Sequence, residues 1–172
     1  MLALLFALDK LFAIVIILKK NVAGLTERGL QRFVALATQS VGIRTGVNVL
    51  VTSNRELQSL NRRFRGKDQP TDVLSFPAGA GTDDLGGDIA VSAEMARTSS
   101  RQLGHSAAQE VKILVLHGIL HLAGYDHESD NGSMARKELR LRQRLKLPVG
   151  LIERHSETTA RKKQPRPPGR KR

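Results

Sequence analysis

The chain contains no cysteine and no tryptophan, and only one tyrosine and five phenylalanines among 172 residues. Without cysteine it forms no disulfide, holds no metal through thiolate and uses no cysteine nucleophile. A reducing, cytoplasmic setting agrees with that absence. Aromatic residues, at 3%, are too few for the stacking platform of a dedicated single-strand binder. Acidic residues are also outnumbered: 16 Asp and Glu stand against 28 Lys and Arg, a formal net charge of +12. A balance this basic calls for a polyanionic partner held through Lys and Arg. The stretch from Arg154 to Arg172 carries eight Lys and Arg against one Glu, yet the body before it is still basic.

No uninterrupted hydrophobic run is long enough to span a bilayer. Leu2 to Leu18 is apolar except for Asp9 and Lys10. Each such central charge costs about 2.5–3.5 kcal/mol on insertion. No basic residue precedes the run, as a signal peptide would require. A soluble chain is therefore expected, with no membrane role. Ala13–Leu18 is expected to be a buried β-branched strand. Residues 1–12 read as an apolar extension, 13–152 as one domain, and 153–172 as a disordered basic tail too polar to bury a core.

Within that domain the apolar spacing alternates between helix and strand. Leu25–Val41 is an amphipathic helix with Thr26 as N-cap, Leu30, Phe33, Val34 and Ala37 on one face, and Gly42 as its stop. Val47–Val51 is a strand. Ser53 or Asn54 caps a helix bearing Leu57, Leu60 and Phe64. A basic loop, Arg65 to Pro70, leads to a short strand from Asp72 to Phe76. Ala78–Gly87 reads as a loop, since it lacks the Lys-Ser/Thr ending of a phosphate-binding loop. Asp88–Val91 is a strand, Ser92 caps a helix over Ala93–Leu103, and a long helix runs from Ser106 to Ala123. Glu128–Leu145 is the last helix. This order predicts an α/β (α+β) fold: a small mixed sheet of about four strands covered by helices.

Three of the five histidines, His117, His121 and His127, stand at offsets of 0, 4 and 10. Imidazoles four apart leave a helix from the same face. Gly124 can end that helix in a left-handed turn, so that the returning chain offers the third ring. Three neutral nitrogens suit one Zn2+ and leave a fourth coordination position open, the mark of a catalytic ion. Tyr125 and Asp126, inside the motif, are candidates to orient a ligand ring. The spacing matches the metzincin protease pattern His-Glu-x-x-His-x-x-Gly-x-x-His, but Gly118 stands where the general-base Glu belongs. Proteolysis therefore lacks its base.

Two blocks carry a more specific resemblance. His117-Gly118-x-x-His121-Leu122-x-Gly124-Tyr125-Asp126-His127 resembles the signature of the YbeY family, bacterial endoribonucleases that mature ribosomal RNA. Asn61-x-x-Phe64-Arg65-Gly66-Lys67-Asp68-x-Pro70-Thr71-Asp72-Val73-Leu74-Ser75-Phe76-Pro77 supports it, as does Gly87-Asp88-Ile89. The resemblance implies a zinc metallohydrolase fold with one ion on His117, His121 and His127, and a functional Arg65. It implies cleavage of single-stranded RNA, processing of the small-subunit rRNA 3′ end, ribosome quality control, and the ribosome or its small-subunit precursor as partner, with no DNA specificity. Arg62, Arg63, Arg65 and Lys67 are the candidate phosphate contacts, Arg65 the best placed because its planar fork matches a phosphate. Two other readings stand beside it: a zinc protease-like hydrolase, and a non-catalytic ribosome-associated RNA-binding factor. The oligomeric state is not legible in the sequence.

Overall fold

The structure is a computed structural model that describes residues 14–79, 85–126 and 131–149. The expected extension 1–12, the basic tail 153–172 and His127 lie outside these residues.

Among the described residues nine elements follow one another: β1 (Ile16–Leu18), α1 (Glu27–Val41), β2 (Gly46–Thr52), α2 (Asn54–Arg65), β3 (Val73–Pro77), β4 (Leu85–Ser92), α3 (Ala93–Leu103), α4 (Ala107–Leu122) and α5 (Ser133–Arg144). The sheet order is β1-β2-β4-β3. β1, β2 and β4 run parallel, and β3 pairs antiparallel with β4. The mixed four-stranded sheet with covering helices is the fold class the sequence predicts.

Helix boundaries follow the capping chemistry. Thr26, Ser53, Ser92 and Ser106 each accept from a backbone N–H in the first turn, satisfying a donor the helix cannot. Ser106 and Gln109 close a reciprocal capping box at the start of α4. Gly42, in the left-handed region at φ 82°, ends α1 as expected.

One face of the sheet carries the main core. Val47, Val49, Val51, Ile89 and Val91 meet α1 and α4 there. α4 is the central helix, with Val111, Val115, Leu116, Ile119 and Leu120 fully buried. Burying each such Val, Leu or Ile contributes about 1.5–3 kcal/mol, so the histidine-bearing helix is the most firmly held element. On the opposite face α2 covers a smaller cluster of Leu57, Leu74 and Ala90.

Three expectations need correction. The first strand is not buried: among the described residues β1 is an edge strand paired only with β2, and Val15 and Ile17 are each 48% exposed. The glycine-rich stretch is not loop throughout, since Leu85, Gly86 and Gly87 belong to β4 and residues 80–84 lie outside the described ones. The last described helix starts at Ser133, because Asn131 and Gly132 take positive φ; residues 128–130 of the expected helix lie outside the described ones.

Candidate metal centre

His117 and His121 sit one turn apart near the C-terminal end of α4, half-buried, their ring centroids 4.7 Å apart and nearly perpendicular. After Leu122 the helix stops: Gly124 adopts φ +85° and its N–H donates to the His121 carbonyl, while the Tyr125 N–H donates back to Leu120. The left-handed glycine does what its place in the sequence predicts. The reversal also brings the Tyr125 carbonyl under His121.

Each ring is oriented through its Nδ1. That of His117 lies 3.1 Å from Glu138 Oε2, and that of His121 lies 3.0 Å from the Tyr125 carbonyl. A carboxylate and a carbonyl can only accept, so in the neutral rings the proton sits on Nδ1 and Nε2 bears a lone pair. The two Nε2 atoms face one another at 3.1 Å. Two lone pairs at that distance repel unless a proton or cation lies between them. This donor pair, with its tautomers fixed from behind, fits a zinc ion. Among the described residues no group of three His, Cys, Asp or Glu stands ready to hold a metal. His127, the third ligand expected from the sequence, lies outside them.

Glu138, on α5, is missed by sequence reasoning. It is 1% exposed and pairs with Arg142 one turn on, itself nearly buried. Burial pushes its carboxyl up, but the hydrogen bond with His117 and the charge of Arg142 outweigh that and hold it below the usual carboxylate range. The available signal is a Glu within the inward stripe formed by Met134, Leu141 and Arg142. Replacing Glu138 by Gln keeps an acceptor for Arg142 but not its counter-charge, and is expected to destabilise less than Ala while weakening metal binding by about 10–100-fold. Replacing it by Ala strands the buried Arg142 charge and is expected to cost about 3–5 kcal/mol. Thermal melts and metal titrations of the two variants separate these effects; unchanged metal affinity in Glu138→Gln would remove the residue from the site.

The rings open onto a cleft of about 490 Å³ lined by Arg65, Ser75, His117, His121, Tyr125 and Asp126 among others. Arg65 reaches it from the end of α2, and its Nη2 donates to the Ser75 carbonyl at 3.0 Å. Of the four candidate phosphate contacts, Arg65 alone lines this cleft. Arg62 lies 3.8 Å from Asp68, Arg63 rests over the Phe64 ring, and Lys67 is exposed on the loop beyond. The Tyr125 contribution to His121 is its carbonyl, and Asp126 lies on the cleft wall. His105 is taken by Glu110 in a buried pair at 2.6 Å.

Gly118 is buried where α4 crosses the sheet. A Cβ there would stand 2.9 Å from Ser75 Oγ and 3.1 Å from two Ile89 carbons. Glycine at this position thus has a packing reason: any side chain would have to displace Ser75 Oγ and Ile89 where α4 meets the sheet.

Comparison with known proteins agrees with the geometry. The family model described as Endoribonuclease YbeY matches residues 17–146. The Endoribonuclease YbeY of Koribacter versatilis is 55% identical over 139 residues, covering 81% of this chain and 90% of the relative. That of Solibacter usitatus is 48% identical over 132 residues, covering 77% and 88%. The solution structure of TM1509 from Thermotoga maritima superposes with a TM-score of 0.56 at 28% identity, over 92% of this chain and 100% of that one.

Proposed function

This chain belongs to the endoribonuclease YbeY family, and on that premise we propose that it is a zinc-dependent endoribonuclease that cuts single-stranded RNA, ribosomal RNA above all, in the cleft between Arg65 and the His117–His121 pair. Hydrolysis of RNA phosphodiester bonds is the activity its relatives are named for. The observation that carries the reading is one cleft holding both a fixed guanidinium and two facing imidazole nitrogens. Among the described residues no helix is long and apolar enough to cross a membrane.

His117, His121 and His127 would hold the zinc ion. When bound, it supplies Lewis-acid catalysis to the scissile phosphodiester. The remaining work belongs to the chain. Glu138 and the Tyr125 carbonyl keep each ring proton on Nδ1, so both Nε2 atoms stay turned inward as donors of electron pairs. Arg65 remains charged throughout. One of its N–H groups is spent on the Ser75 carbonyl, which fixes the plane of the fork. The others can grip the phosphoryl oxygens as negative charge builds on them. No side chain at position 118 is needed as base. The small-subunit rRNA 3′ end and the ribosomal precursor are the natural targets of this reading, and the excess of Lys and Arg suits them.

Arg65→Lys tests the assignment. Charge is kept but the fork is lost. Charge-assisted hydrogen bonds contribute about 1.5–3 kcal/mol, so kcat/KM on a single-stranded RNA oligonucleotide should fall about 10–150-fold. Activity equal to that of the native chain would take Arg65 out of the mechanism. RNA affinity should also drop steeply as salt rises from low to physiological concentration, because contacts to phosphates release counterions.

A further inference from the structure

We propose that the apolar groove on the open face of the sheet is a subsite for one unpaired nucleobase next to the scissile phosphate, an inference that rests on the reading of the chain as an RNA-cleaving enzyme. The groove has a volume of about 630 Å³, and its walls include Ile17, Asn48, Leu60, Phe64, Phe76 and Asp88. That lies within the range of about 300–1,000 Å³ typical of small-molecule clefts.

Phe64 is the feature that calls for a ligand. It is 57% exposed at the last turn of α2. Phe76 of β3 meets it edge-on, with ring centroids 5.2 Å apart. The Arg63 guanidinium carbon stands 5.2 Å from the Phe64 centroid. A ring that carries one planar group can take a base in that group's place, and bases stack on aromatic rings whatever their identity. Aromatics are scarce in this chain, yet a single nucleobase needs only one ring.

Position links the groove to the catalytic cleft. Phe64 precedes Arg65 on α2, and Phe76 follows Ser75 on β3. Successive strand residues point to opposite faces: Ser75 lies against Gly118 on the histidine side, while Phe76 joins the cluster under α2. Pro77 borders both spaces. β3 is an edge strand, so a polynucleotide gripped at Arg65 can pass around it and lay its neighbouring base on Phe64.

Charge decides which part of the nucleotide enters. Asp88 places a carboxylate in the groove, which repels a phosphate but accepts from the exocyclic amino group of a base such as cytosine. Its Oδ1 is engaged by Asn48 Nδ2 at 2.9 Å, which holds the carboxylate in place. Arg63, at the Phe64 ring, and Arg65, in the adjoining cleft, suit the phosphates on either side.

Phe64→Trp gives the full-length chain its sole tryptophan, a reporter on the groove. Short oligocytidine is expected to quench its emission, and an oligonucleotide of abasic residues is expected to leave it unchanged. Phe64→Leu, at an exposed position, should fold normally and bind oligocytidine about 5- to 150-fold more weakly, while the two proteins bind the abasic probe alike. Oligocytidine should bind more tightly than oligouridine, and Asp88→Asn should erase the difference; equal affinities in the native chain would overturn the part given to Asp88. Native cleavage with an indifferent Phe64→Leu, or bound RNA that leaves the tryptophan unquenched, would overturn the subsite alone. A tryptophan already shielded without RNA would also overturn it, showing that another part or a second copy of the chain fills the groove. A native chain that neither binds nor cuts RNA would sink the proposed function as well.

Discussion

His117→Ala is expected to lose both the bound metal and RNA cleavage while remaining folded. The side chain is 24% exposed, so truncation opens a solvent-reachable gap and not a core cavity. Glu138 loses one partner, but Arg142 still neutralises it, so the carboxylate is not left buried alone. The stability cost should therefore stay well below the 3–5 kcal/mol of a broken buried pair. The functional cost should be far larger. Groups that merely orient a metal ligand cost about 10–100-fold when removed, so removal of a donor itself should exceed that range. Metal content per chain, circular dichroism and cleavage of a single-stranded oligonucleotide check the three parts together. A folded, metal-free His117→Ala that cuts RNA at the native rate would refute the catalytic role. Retained RNA binding beside lost cleavage would separate the enzyme from a mere RNA-binding factor.

Gly118→Glu is expected to be strongly destabilising, lowering the yield of folded protein or abolishing it. Installing the metzincin base looks like a small step in sequence, but the Cβ alone overlaps Ser75 Oγ at 2.9 Å. The Ser75 side chain and Ile89 belong to β3 and β4, so relief requires these side chains to shift within the packed layer between α4 and the sheet. Overpacking of this kind costs about 1–3 kcal/mol before any polar group is counted. A carboxylate driven into the same gap adds a desolvation penalty of several kcal/mol more. Gly118→Ala isolates the first contribution, and a fall in Tm of about 3–10 °C is expected. Soluble, folded Gly118→Glu protein with casein-cleaving activity would contradict both the packing argument and the exclusion of the protease reading.

Where structure depends on local chemistry, the sequence was readable. Thr26, Ser92 and Gly42 mark helix ends that the backbone confirms, because a cap needs only its own first or last turn. The helical histidine pair and the left-handed Gly124 were readable for the same reason. Burial was less so. Ile16–Leu18 has the composition of a central strand, but whether it is central depends on which strands lie beside it, and none among the described residues pairs with its outer edge. Gly86 and Gly87 read as loop because glycine disfavours strands. A Cβ at Gly87 would stand 2.5 Å from the Phe76 carbonyl, so the close approach of β3 needs that glycine inside β4. Glu138 is the clearest loss. It lies 21 residues from His117, and only the packing of α5 on α4 shows that a carboxylate stands behind that ring.

The most direct test of the metal-centred account is elemental analysis of the purified chain combined with cleavage of a single-stranded RNA oligonucleotide before and after chelation. One zinc ion per chain, cleavage lost with the chelator and restored by added zinc, is the expected result. Cleavage that continues undiminished in metal-free protein would contradict it.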